Sequence, residues 1–156
     1  MPTALPFEPE YVALVRELFE KTIAFNRVLG LKVDSVAAGG VSGHIDMRPE
    51  LISHAALGRL HGGVISAALD TMGGLAIVAA TCARHMDEPP LVRIQRFMKL
   101  GTIDLRIDYL RPATGSRFTM AAEVMRLGSR VASTRMTFYG AGDKLLATGS
   151  GAYIVS

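Results

Sequence analysis

The sequence predicts an α+β domain in which an antiparallel sheet of about six strands wraps around one long apolar helix, with an additional helix at the N-terminus. Three observations predict it. The run "LHGGVISAALDTMGGLAIVAAT", Leu60 to Thr81, is apolar nearly all round and holds a single charged residue, Asp70. From Thr102 onward, apolar and polar residues alternate with period two in four segments joined by short turns. Ahead of both lies an amphipathic stretch with helical spacing.

In chain order, "EYVALVRELFEKTIAFNRVLG" places Val12, Val15, Leu18, Phe19, Thr22 and Phe25 on one helical face, and Gly30 supplies the stop. "LKVDSVAAGGVSGHIDMRP" reads as two strands. The second sets Val41, Gly43, Ile45 and Met47 against Ser42, His44, Asp46 and Arg48. The Leu60–Thr81 run is a core helix rather than a membrane span. Asp70 at its centre is costly in hydrocarbon, and no second apolar run of that length exists to pack with it. "TIDLRIDYL" sets Ile103, Leu105, Ile107 and Tyr109 on one face and Thr102, Asp104, Arg106 and Asp108 on the other. "RFTMAAEVMRL", "RVASTRMTFYG" and "KLLATGSGAYIV" follow, linked by "PATGS", "GS" and "AGD" as in an antiparallel meander. A helix that is apolar all round is satisfied if this sheet curls about it. Between helix and meander, Arg84 to Gly101 is too long for an ordinary loop and is expected to form an extra helical turn or a lid.

Length and composition bound the rest. The 156 residues fit one domain, 1–156, with residues 1–30 as a helical extension. An apolar fraction of 49% with only 20% charged residues, and a mean hydropathy of +0.30, indicates that a second subunit covers apolar surface. The first residues lack the basic start of a signal peptide, so the cytoplasm is the expected location. Cys82 is the single cysteine, which excludes an internal disulfide and reads as a small buried hydrophobe. No metal site is expected, since His85, Asp87 and Glu88 sit on a polar, proline-containing turn. Residues 84–135 carry ten Lys/Arg against five Asp/Glu, and the sequence pI is about 9.3. No basic run, aromatic platform or zinc-finger spacing accompanies that charge, so nucleic acid is not expected. Dispersed arginines suit a small phosphorylated ligand instead.

Two features carry chemistry. His61-Gly62-Gly63 opens the long helix, where backbone N–H groups lack intrahelical acceptors and the helix dipole favours negative charge. It is either an oxyanion site or an ordinary turn before a helix. Asp70 is either a structural carboxylate with a partner from elsewhere in the chain or a general base. Walker, G-x-S-x-G, H-E-x-x-H and dinucleotide-binding patterns are absent from the sequence.

"LHGGVISAALD" and "TIDLRIDYLRPATG", in that order, resemble the two signature stretches of the PaaI-type hotdog-fold acyl-CoA thioesterases, a similarity running from about Leu31 to the C-terminus. The resemblance implies that Gly62 N–H polarises a thioester carbonyl, that Asp70 is base or nucleophile, that His61 braces the loop, that Gly63 belongs to the same site, and that the Thr102 hydroxyl helps position water. Where that family commonly carries Asn, six residues before the motif histidine, this chain has Ala55 beside His54.

Helix geometry adds a constraint. Gly62 and Asp70 are separated by about 12 Å along one helix, so both cannot reach one thioester carbon from the same chain. If both act, Asp70 comes from a second, two-fold related subunit. The chain therefore reads as a homodimer or dimer of dimers that hydrolyses acyl-CoA without cofactor. Arg106, Arg111 and Arg130 are the candidate ligands for CoA phosphates. The alternatives are a non-catalytic acyl-CoA sensor or carrier with the same fold, and a hotdog hydratase or dehydratase.

Overall fold

The structure is a computed structural model and describes residues 7–156. The N-terminal stripe folds as two helices instead of one: α1 (Pro9–Arg16), a wide π-helical turn (Glu17–Thr22) and α2 (Ala24–Leu29). Ile23 breaks the run in extended backbone, φ −70° and ψ 108°, with its N–H donating to Leu18 O at 3.0 Å. Val15 and Phe19 stay in the core as the spacing predicts, but Phe25 is 58% exposed and Asn26 is buried in its place. Asn26 is satisfied there because its Nδ2 donates to Phe19 O at 2.9 Å.

Strands β1 (Lys32–Ala37) and β2 (Gly40–Asp46) form the expected hairpin, and β2 buries Val41, Gly43 and Ile45. A side ribbon of β3 (Ile52–His54) and β4 (Arg59–Leu60) leads into α3 (Gly62–Cys82). Then come α4 (Pro90–Ile94), a 3-10 turn (Gln95–Lys99) and the meander: β5 (Gly101–Tyr109), β6 (Arg117–Leu127), β7 (Val131–Gly140) and β8 (Lys144–Ile154). The main sheet has six strands in the order β1-β2-β6-β7-β8-β5, every neighbouring pair antiparallel. It curls about α3, of whose 21 residues 13 are buried. Leu69, Met72, Leu75 and Ile77 are each at most 2% exposed, and each contributes roughly 1.5–3 kcal/mol by leaving water. Cys82 is fully buried at the end of this helix, where its Sγ donates to Arg93 O at 3.3 Å.

The long connection after α3 is an extra helical turn, and it is pinned down. Arg93 is 0% exposed, paired with the Glu8 carboxylate and lying 5.0 Å from the Tyr11 ring centroid. That cation lies on an aromatic face in a nearly dry site, which ties α4 to α1. Burial pushes the Tyr11 hydroxyl well above the usual tyrosine range.

Candidate active site

The start of α3 is built by its neighbours. Leu60 N–H donates to Ala113 O at 2.9 Å and His61 N–H to Leu51 O at 2.8 Å, which fixes the approach to the helix. His61 is the N-cap residue, and its Nδ1 accepts the Gly63 N–H at 2.8 Å. This uses the neutral ring with its proton on Nε2. Gly63 is required by contact: a Cβ there would stand 2.9 Å from His61 Nδ1. Gly62 is the first helical residue, so its N–H lacks an intrahelical acceptor. Its carbonyl accepts the Tyr109 hydroxyl at 3.0 Å from the end of β5. Gly62, Tyr109 and Arg111 border one cleft of about 310 Å³.

Asp70 lies two turns further along α3 and borders a different cavity, of about 200 Å³, with Thr102, Asn26, Phe19, Leu100 and Tyr153 among its walls. It is half-buried rather than enclosed. Among the described residues it has no ion-pair partner. Thr102 Oγ1 donates to Asp70 Oδ1 at 2.9 Å, and Tyr153 Oη donates to the Asp70 carbonyl at 3.2 Å. Burial, with the Asp70 charge beside it, raises the Tyr153 hydroxyl above its ordinary range, so it stays a donor.

Thr102 faces Asp70 because the strand breaks its alternation. β5 pairs Thr102 with Tyr153 and Asp104 with Ala152, so Ile103 is an extra residue in a bulge. Period-two reading puts Thr102 on the outer face with Asp104 and Arg106; the bulge corrects that, bringing Thr102 inward with Leu105 and Ile107.

The structure thus joins Thr102 to Asp70 and joins His61 to Gly63, and it keeps Gly62 and Asp70 in separate clefts. It does not gather the three arginines. Arg111 donates to Leu145 O at 2.8 Å beside the Gly62 cleft. Arg106 pairs with Asp108 on the outer face of the sheet at 3.2 Å, and Arg130 is exposed in the β6–β7 turn. Three site neighbours escaped the sequence reading: Asn26, Tyr109 and Tyr153. Asn26 Oδ1 accepts the Thr71 hydroxyl at 3.1 Å at the floor of the Asp70 cavity. Its only sequence signal is a lone amide within an apolar stripe. Among the described residues, no cluster of three or more His, Cys, Asp or Glu could hold a metal ion.

Residues 57–147 match the family model of the Thioesterase superfamily. The chain belongs to this superfamily, and its sheet wrapped on α3 is the hotdog fold. The medium/long-chain acyl-CoA thioesterase YigI of Salmonella typhimurium is 37% identical over 142 residues, 91% of this chain and 92% of its own. Its namesake in Escherichia coli K12 is 36% identical over the same shares. A Shewanella oneidensis protein related to the thioesterase superfamily superposes with a TM-score of 0.84 at 36% identity, covering 96% of this chain and all of that one. Zebrafish thioesterase superfamily member 2, at 22% identity and a TM-score of 0.75 over 96% of this chain and 99% of its own, shares the fold.

Proposed function

We propose that the protein hydrolyses acyl-CoA thioesters of medium to long chain to a free acid and CoA, at a site assembled from two chains. The observation that carries this is the pair of half-sites on one helix: Asp70, held by Thr102 in a mainly apolar cavity, and Gly62, with its N–H at a helix start in another cleft. The YigI relatives support the acyl-CoA class and its chain length.

In this mechanism Gly62 N–H and the positive end of α3 bind the thioester oxygen as it becomes an oxyanion. Asp70 of the second chain takes a proton from water, and the resulting hydroxide adds to the carbonyl carbon. Collapse of the tetrahedral intermediate breaks the C–S bond, and the thiolate leaves as CoA, taking up a proton. Attack by the carboxylate itself, through an anhydride that water then opens, uses the same two groups. Thr102 keeps Asp70 oriented, and Arg111, which borders the Gly62 cleft, is the proposed phosphate ligand of the three arginines.

Two-chain assembly is supported by the sheet edge. β5 pairs on one side only, with β8, and exposes Ile103 and Tyr109, with Leu110 just beyond its end. Such an apolar edge calls for a covering strand. A hydratase reading is disfavoured because His61 Nδ1 is occupied by Gly63 N–H, and the imidazoles that do face a carboxylate, His44 with Asp34 and His85 with Glu88, border neither the Gly62 cleft nor the Asp70 cavity. The test is release of free thiol from CoA esters of short, medium, long and aryl acids. Release that peaks with medium or long chains is expected. Binding without release from any of them would overturn hydrolysis in favour of a sensor or carrier.

A further inference from the structure

Two cavities lie in line along one stripe of α3. The first is the Asp70 cavity, whose helix wall is Asp70, Thr71 and Gly74. The second, of about 170 Å³, takes its helix wall from Ile77, Val78, Thr81 and Cys82. Steps of three and four residues place all of these on one helical face. Phe97 and Leu100 border both cavities. Leu100 lies across the gap left by Gly74, where a Cβ would meet its Cδ2 at 3.2 Å. Phe97 packs edge-on against Phe19 with ring centroids 5.4 Å apart. Both side chains are only half-buried, so they have room to change rotamer.

Distances along the helix give the partition its meaning. From Asp70 to Gly74 is about 6 Å, room for about five carbons of an extended chain, whereas Asp70 to Thr81 is about 16 Å, room for about a dozen. A short acyl group fits on the Asp70 side of Leu100, and a longer one has to pass it. The partition belongs to the segment between α3 and β5, which the buried Arg93 fastens to α1 and which therefore moves at side chains more readily than as a whole.

Resting on the thioesterase reading above, we propose that Leu100, with Phe97, sets the acyl-chain length by gating passage from the Asp70 cavity into the second apolar cavity. The test measures affinity for non-hydrolysable CoA thioethers from butyl to hexadecyl by calorimetry, and thiol release from the matching esters. It compares the natural protein with Leu100→Ala, Leu100→Phe and, as a control, Met98→Ala, whose side chain is 82% exposed. Leu100→Ala is expected to raise the long-to-short ratio, in association constant (1/Kd) and in kcat/KM, by about ten-fold, and Leu100→Phe to lower it by about as much. Butyl affinity and the Met98→Ala profile should stay put. Opposite shifts from one position cannot come from general destabilisation. Thiol release with the same length profile in all variants overturns the gate and leaves the thioesterase standing. A moved thioether profile without thiol release supports the gate and overturns hydrolysis.

Discussion

Thr102 donates to a carboxylate that has no counter-charge among the described residues, so that one hydrogen bond decides where Asp70 points. A hydrogen bond to a charged group is worth roughly 1.5–3 kcal/mol, enough to hold one rotamer against the alternatives. Thr102→Val should therefore lower kcat by about ten- to a hundred-fold with KM nearly unchanged, and Thr102→Ser, which keeps the donor, should recover most of it. Equal turnover in the valine and serine variants would reject the positioning role. Asp70→Asn keeps the shape and the Thr102 contact but removes the basic group. Its kcat should fall by about a hundred-fold or more while thioether affinity persists, and turnover near that of the natural protein would reject Asp70 as base or nucleophile. At this scale the sequence was partly legible. Asp70 stands out because no other charge shares its helix, but the contact that orients it depends on a bulge at Ile103, and alternation read from the sequence counts straight through a bulge. Asn26 was hidden for a different reason: at 3.6 residues per turn it falls on the stripe of Val15, Phe19 and Thr22, but an amide there reads as a polar interruption, and the aromatic Phe25 beside it reads as the core residue.

α3 combines two tasks that ordinarily conflict. Its flanks are buried, yet in the proposed mechanism its first turn presents an unpaired N–H group to the thioester. His61 resolves the conflict by satisfying Gly63 and leaving the N–H of Gly62 without an intrahelical partner. His61→Ala should remove about 1 kcal/mol of helix-cap stabilisation, a drop of about 2–4 °C in Tm at fixed protein concentration. His61→Asn, which caps well, should restore the Tm. An alanine variant as stable as the natural protein would show that the cap is dispensable. The identity and extent of α3 were plain in the sequence because a run so uniformly apolar has few other uses. Arg84 to Gly101 was not, since its polar composition hides that Arg93 is a core residue; a guanidinium paired with Glu8 and laid on Tyr11 contradicts the usual reading of arginine as surface.

The whole molecule is tested by the separation of Gly62 from Asp70. One continuous helix carries both residues, about 12 Å apart along its axis, and each opens into its own cleft. Consider two variants, Asp70→Asn and a Gly62→Pro that deletes the backbone N–H at a helical position where proline is tolerated. Each homodimer lacks one required group at both of its sites and should be inactive. In a mixed dimer one site collects both lesions, and the other takes Gly62 from the first chain and Asp70 from the second. Equal amounts exchanged at random give about half mixed dimers, so about a quarter of all sites should be whole, and activity should return on mixing to about that fraction. Had one chain supplied both groups to its own site, no combination of these two chains would contain an intact site. Circular dichroism of each variant and mass spectrometry of differently labelled subunits establish folding and exchange. Continued inactivity after proven exchange would reject the shared site, and with it the pairing of Asp70 from one chain with Gly62 from the other.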